Sequence, residues 1–240
     1  MSKNIKIIDT NYTIDDSINN LLEALIYLKE NKNNALSFKY GCKSGVCGSC
    51  AVRVNGVEKL ACACSINDND IVEPLKNLPV LKDLIVDDSN ILNKLDQSKS
   101  FLEEKSTNEI SQNDVDIIDI ESNCILCNSC YSSCPVYEVN SDFIGPFALA
   151  RAYRYIEDKK ESSLKAKLDA IQKSAVWDCT LCGACDLVCP QNITIKDDIM
   201  RLQNKSVQNG YENPAFSSNS GGFDSFDGGD FSGGFNPNGF

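Results

Sequence analysis

The spacing of apolar positions changes along this chain. From Ile18 to Lys29 they fall at 18, 21, 22, 25, 26 and 28, the stripe of an amphipathic helix packing on a core. Asn4 to Ile8 and Ala51 to Asn55 read as short strands, and Asn55-Gly56 is a turn signal. Further on, Phe147 to Lys160 and Leu164 to Lys173 are good helix formers, and a third helix is expected from Ile195 to Val207, after Pro190. Between these regions, residues 98–122 are polar and acidic and suggest a connector with one short helix. The pattern divides the chain into a mixed strand and helix domain (1–97), the connector (98–122), a helical domain (123–209) and a tail (210–240), an α+β class overall.

The tail differs in composition. Ser217 to Phe240 holds 7 of the 14 glycines, 5 phenylalanines, 3 aspartates and no Lys or Arg. Such a segment cannot bury enough surface to offset its ordering entropy, so disorder is expected. Its Gly-Gly-Phe near-repeats are compositional.

A length of 240 residues allows one or two globular domains. The net charge of −11 argues against nucleic acid as a partner and against docking on anionic lipid through this surface. No stretch approaches ~18 consecutive apolar residues, and Met1 to Thr10 shows no apolar signal region, so neither a membrane span nor a secretory signal is expected. The chain has no histidine, which removes Ser–His and Cys–His nucleophiles and every His-ligated metal or haem. Cysteine, with 13 copies, must then carry any chemistry. Without an export signal, and with an odd count, these cysteines read as metal ligands before disulfides.

Their spacing is specific. Cys42-x4-Cys47-x2-Cys50, with Cys62 eleven residues beyond, is the plant-type ferredoxin pattern for a [2Fe–2S] cluster. Gly41, Gly45 and Gly48 let this loop turn tightly and bring amide N–H groups near the sulfurs. Cys62 returns from the hairpin of residues 51–61. Cys64 lies two residues on and, in a strand, would point the same way, so either could reach the iron; the x11 spacing favours Cys62 and leaves Cys64 as a small buried thiol. Zinc in the same four thiolates is the competing reading, although zinc sites usually pair two short CxxC knuckles.

Two further runs match one another: Cys124-x2-Cys127-x2-Cys130-x3-Cys134-Pro135 and Cys179-x2-Cys182-x2-Cys185-x3-Cys189-Pro190. In bacterial two-cluster ferredoxins the fourth Cys of one run ligates the other cluster. Cys124, Cys127, Cys130 and Cys189 are thus expected to hold one [4Fe–4S] cluster, and Cys179, Cys182, Cys185 and Cys134 another, with the prolines stopping the following residues from folding back as helix. Twelve cysteines serve three clusters and one remains. No corner is left open to substrate, which favours electron transfer.

A [2Fe–2S] domain followed by two interleaved cysteine runs resembles the iron–sulfur subunit of succinate dehydrogenase and fumarate reductase. The resemblance runs over roughly residues 20–205. It takes in residues 42–50, Asn55-Gly56 with Leu60-Ala61-Cys62, the stretch from Leu78 to Leu84, Cys124-Ile125-Leu126-Cys127, Phe143-Ile144-Gly145-Pro146 and Ala152-Tyr153-Arg154. It implies a β-grasp ferredoxin-like domain joined to an all-helical ferredoxin domain, in a respiratory-chain or tricarboxylic-acid-cycle complex. It also implies a flavoprotein partner carrying FAD and the dicarboxylate site, and a membrane-anchor partner that exchanges electrons with quinone. The chain would then sit on the cytoplasmic side of the inner membrane through its partners, with no dicarboxylate active site of its own.

Three departures bear on these expectations. Most members have a [3Fe–4S] third cluster because the position of Cys182 is not cysteine; its presence points to [4Fe–4S], the pattern of the less usual branch of the family and of heterodisulfide-reductase-like subunits. The alternative function is electron transfer in a thiol-linked fumarate reductase or heterodisulfide-reductase-like complex with a cysteine-rich partner subunit. The Trp pair of the family's quinone site is Glu138-Val139 here, and Thr180 stands where many members have His, leaving Pro135 and Trp177 as candidates for a quinone edge. Finally, Asn4 to Thr13 leaves room for little more than one strand, so an edge of the sheet is expected to be missing or supplied by a partner.

Overall fold

The computed structural model describes residues 2–173 and 176–217, the last two by backbone alone. Disorder is expected of the tail from Ser217 to Phe240, and residues 218–240 lie outside the described residues.

The N-terminal region builds a five-stranded sheet from β1 (Ser2–Ile7), β2 (Thr10–Asp15), β3 (Ala51–Val54), β4 (Val57–Leu60) and β5 (Asp70–Glu73), in the order β2-β1-β5-β3-β4. β1 runs parallel to β5 and antiparallel to β2, while β3 is antiparallel to both β4 and β5. A two-residue turn at Ile8-Asp9, with Ile8 at φ 55°, folds β2 back along the whole of β1, from Ser2 opposite Asp15 to Ile7 opposite Thr10. The expectation of a single N-terminal strand with a missing edge is therefore corrected. The second strand was hidden because an edge strand solvates its outer residues, leaving mainly Tyr12 and Ile14 as apolar signal.

Helix α1 (Leu21–Asn31) covers one face of the sheet. Leu21, Leu25 and Leu28 on α1 share a core with Ile5, Ile7, Val52, Val54 and Val72, and fully burying each such side chain stabilises by roughly 2 kcal/mol. The helix begins three residues later than its apolar stripe, because the side-chain oxygen of Asn20 accepts the backbone N–H groups of Leu22 and Glu23 as an N-cap. The Asn55-Gly56 signal is realised: both residues take positive φ (51° and 80°) between β3 and β4, as a tight hairpin turn requires. A small hairpin, β6 (Val80–Lys82) and β7 (Ile85–Val86), ends the region.

The remainder is helical: α2 (Ile91–Gln97), α3 (Gln112–Asp116), α4 (Asp119–Ser122), α5 (Ser129–Ser132), α6 (Pro135–Val139), α7 (Pro146–Glu157), α8 (Leu164–Lys173), α9 (Ala184–Leu187), α10 (Ile195–Gln208) and a last turn, α11 (Pro214–Ser217). Phe147, Leu149 and Ala152 on α7 meet Leu168 and Ile171 on α8 and Ile199 and Leu202 on α10 in one core. The short α2, though it precedes the acidic connector, packs on this core through Ile91 and Leu95, and buried Lys94 donates to the carbonyls of Ser141 and Phe143. Tyr211 also lies against this core, its hydroxyl 2.7 Å from Asp169 Oδ1.

Pro135 corrects one expectation. It occupies the first position of α6, where its missing N–H is not needed, so it starts a helix after Cys134 and does not prevent one.

Candidate functional site

The first cysteine loop, residues 41–50, has little regular structure because its backbone is organised around sulfur. Cys42 Sγ accepts amide N–H groups from Ser44 and Val46 at 3.4 Å and from Cys47 at 3.3 Å. Cys47 Sγ accepts from Cys42 N at 3.3 Å, and Cys62 Sγ from Gly45 N at 3.2 Å. Lys43, Gly45 and Gly48 take left-handed φ (61°, 76° and 72°), which turns successive amides inward. Hydrogen bonds from Ser44, then Val46, hold the Cys42 thiol down at about 6, toward the thiolate that iron requires. Burial pushes the Cys50 thiol up to about 11, and its sulfur lies 3.4 Å from that of Cys62.

The choice between Cys62 and Cys64 has a local cause. Residues 61–63 form a 3₁₀ turn, so the two side chains do not share a strand face. Cys62 turns to the loop, while Cys64 is buried in the sheet core with its thiol on the Ser65 carbonyl at 3.1 Å. The backbone of this segment is held by α1: Asn20 Nδ2 donates to the Cys62 carbonyl at 2.9 Å, and Leu21 N to that of Cys64 at 2.9 Å. Asn20 thus caps the helix and orients the hairpin cysteine. Sequence reading missed it, although an Asn just before an apolar stripe is a capping signal.

The two later runs are copies in backbone as well as in spacing. Leu126 and Asn128 take φ of 54° and 64°, and their counterparts Leu181 and Gly183 take 54° and 75°. Each run then enters a short helix, α5 or α9. Cys124, Cys127 and Cys130 line a small hollow together with Ile125, Phe147 and Ile195, and the cysteine that completes its wall is Cys189. Cys179, Cys182 and Cys185 line a second, with Pro135, Phe143 and Ile199, and there the fourth cysteine is Cys134. The fourth cysteine has crossed over in both.

Burial pushes the thiols of Cys124, Cys127, Cys130, Cys134, Cys179 and Cys185 upward. Sulfurs so placed become thiolates only beside a strong positive charge, which iron supplies. Four thiols facing one largely apolar cavity fit an all-thiolate cluster. Cys182 is the exposed member of its set.

Of the residues considered for a quinone edge, Pro135 borders the second cavity. Trp177 packs against the helical core, and its indole N–H donates to Gln172 Oε1 at 2.7 Å. Among the described residues no helix is long and apolar enough to cross a membrane.

Two family descriptions match the chain: "2Fe-2S iron-sulfur cluster binding domain" over residues 2–93 and "4Fe-4S dicluster domain" over residues 121–193. The fumarate reductase iron-sulfur subunit of Mycobacterium tuberculosis is 34% identical over 195 residues, covering 76% of this chain and 79% of that one. The mitochondrial succinate dehydrogenase [ubiquinone] iron-sulfur subunit 3 of Arabidopsis thaliana is 31% identical over 200 residues, 78% of this chain and 65% of that one. A fumarate reductase (CoM/CoB) chain of Methanothermobacter marburgensis is 33% identical over 180 residues, 74% of this chain but 36% of that protein. In structure, a chain of the Mycobacterium smegmatis Sdh1 complex in the apo form superposes with a TM-score of 0.78 at 20% identity, covering 88% of this chain and 98% of that one, a likeness of fold.

Proposed function

This chain belongs to the family of iron–sulfur subunits of fumarate reductase and succinate dehydrogenase, and we propose that it passes electrons singly between a flavoprotein partner carrying FAD and a membrane-bound, quinone-reactive partner. It is the electron-transfer subunit of an oxidoreductase complex, with [2Fe–2S] and [4Fe–4S] cofactors.

We assign Cys42, Cys47, Cys50 and Cys62 to the [2Fe–2S] cluster, Cys124, Cys127, Cys130 and Cys189 to one [4Fe–4S] cluster, and Cys134, Cys179, Cys182 and Cys185 to a third cluster, also [4Fe–4S]. One observation carries the assignment: Cys189 stands in the cavity of the first run and Cys134 in that of the second. Clusters bound there supply one-electron carriers.

The chain's own residues fix and insulate. Ser44, Gly45 and Val46 donate N–H groups to sulfur, which favours the more negative, reduced state. Phe143, Phe147 and Ile199 keep the other two sites apolar. Hydride and dicarboxylate chemistry is left to the flavoprotein. Pro135, at the rim of the third site, is the better supported quinone edge, because the Trp177 indole is engaged by Gln172. Membrane association comes through the partner.

Anaerobic purification tests the reading. It requires about ten irons and about ten labile sulfides per chain, the content of one [2Fe–2S] and a pair of [4Fe–4S] clusters; about three zincs in a colourless protein would end it.

A second reading, electron transfer in a thiol-linked fumarate reductase, is favoured by Cys182 and by the similarity to the CoM/CoB enzyme's chain. Reduction of fumarate by the assembled complex with a dithiol donor, and not with a quinol, would select it.

A further inference from the structure

Three features outside the cysteine sites stand out: a buried carboxyl pair at Glu121 and Asp198, exposed apolar side chains at Val139 and Leu187, and a polar seam between the sheet and the first [4Fe–4S]-type run. The seam is the one whose contacts reach directly into the electron path.

Its centre is Asn77, in the loop before β6. The residue takes a left-handed φ of 64°. Its Nδ2 group lies 3.1 Å from the carbonyls of both Tyr131 and Ser132 and 3.2 Å from that of Cys134. The first two carbonyls lie at the C-terminal end of α5, and that of Cys134 opens α6, where it also accepts Glu138 N at 3.1 Å. Next to Asn77, the Lys76 N–H donates to Ser132 Oγ at 2.7 Å, and that hydroxyl donates to Glu58 Oε1 at 2.7 Å. Ser132 and Glu58 are both buried, and Glu58 is paired with Arg53 at 3.4 Å. A continuous set of hydrogen bonds therefore joins the β3–β4 hairpin, the loop before β6 and residues 131–134.

The place where it grips matters. Residues 131–133 separate Cys130, which lines one cavity, from Cys134, which lines the other. The same hairpin carries Cys50 at its start and Cys62 at its end. We propose that Asn77 is a positioning residue for electron transfer: by holding the carbonyls between Cys130 and Cys134 against the sheet, it fixes the separation between the [2Fe–2S] site and the two helical sites. The inference rests on the ligand assignment above. A buried seam of satisfied polar groups suits this role, because it accepts one register where an apolar contact tolerates sliding.

The test uses the full chain with its clusters assembled anaerobically. Asn77→Gly keeps the left-handed backbone and removes the donors. Iron and sulfide content and the individual EPR spectra of the clusters report whether the sites are intact. The spin–spin interaction between the reduced [2Fe–2S] cluster and its reduced neighbour, with the rate of electron equilibration after pulse reduction, reports their separation. The expected result is full iron and unchanged individual spectra, with a weakened interaction and a several-fold slower equilibration. Full iron with interaction and rate equal to wild type overturns the proposal. Should Asn77→Gly lose iron, Asn77→Asp decides, since it keeps the size of the side chain and replaces the donating Nδ2 with an oxygen that cannot bond the three carbonyls; a weakened interaction supports the proposal and an unchanged one overturns it. An iron-free wild-type chain instead overturns the ligand assignment, and the proposal with it.

Discussion

Gly48 leaves no room for a side chain against Cys127 across the boundary between the sheet and the helical region. A β-carbon on Gly48 would lie 2.8 Å from Cys127 Cβ, closer than real β-carbons approach, and 3.1 Å from its Cα, tighter than nearly all real contacts. Gly48 sits between Cys47 and Cys50, so the loop around the first candidate cluster touches a proposed ligand of the second with no side chain between them. Gly48 also takes φ +72°, where an L side chain costs roughly 1–2 kcal/mol. Gly48→Ala should therefore destabilise the chain by that amount plus about 1–3 kcal/mol of overpacking. Its denaturation midpoint should fall at unchanged iron content, and an unshifted midpoint would show that the two loops separate freely.

The 3₁₀ turn at Ala61–Ala63 separates the roles of two neighbouring cysteines. Cys64→Ser should leave the [2Fe–2S] spectrum intact, because the hydroxyl can take over the bond to the Ser65 carbonyl. Cys62→Ser should bleach or shift it. Circular dichroism in the visible range reads both, and a spectrum lost in the Cys64 variant would reverse the assignment.

At the third site, Cys182 is the exposed cysteine of its set, while Cys134 and Cys185 are buried. Cys182→Ser should release one iron and give a [3Fe–4S] EPR signal in the oxidised, anaerobically prepared protein. The same signal in good yield from the wild type would mean that Cys182 is not a ligand.

Much of this molecule could be read from its sequence because its main determinants are local. The paired cysteine runs, the Asn55-Gly56 turn and the helices at Leu164–Lys173 and Ile195–Gln208 each follow from neighbours within a few positions. What escaped depends on distance along the chain. The bonds from Asn77 reach 54 to 57 residues ahead, and nothing near Asn77 announces them. The strand β2 was missed for a different reason: at the sheet edge its polar residues face water, so its alternation is weak. The late start of α1 comes from one side chain, Asn20, competing with the apolar stripe for the helix boundary.

The buried pair of Asp198 on α10 and Glu121 on α4 gives the fold a pH dependence of its own. Both carboxyls are within the helical core, and among the described residues neither oxygen of Asp198 receives a hydrogen bond from a donor. Arg201 approaches Asp198 only to 3.9 Å. Burial first, and then the adjacent Glu121 carboxyl, raises Asp198 to about 8 from a usual value of 3.8. The folded chain therefore retains a proton at Asp198 that the unfolded chain releases between these two values. Where the folded state binds more protons, stability falls as pH rises. This contribution is fully present below the unfolded value, declines across the window and is gone above about 8. Asp198→Asn replaces the shared proton with amide N–H groups that can donate to Glu121 at any pH. The cluster-loaded variant should gain in thermal midpoint over the wild type at about pH 8.5 more than at about pH 5.5. Midpoints that differ by the same amount at both values would show that Asp198 is already ionised in the native protein, its charge neutralised by Arg201.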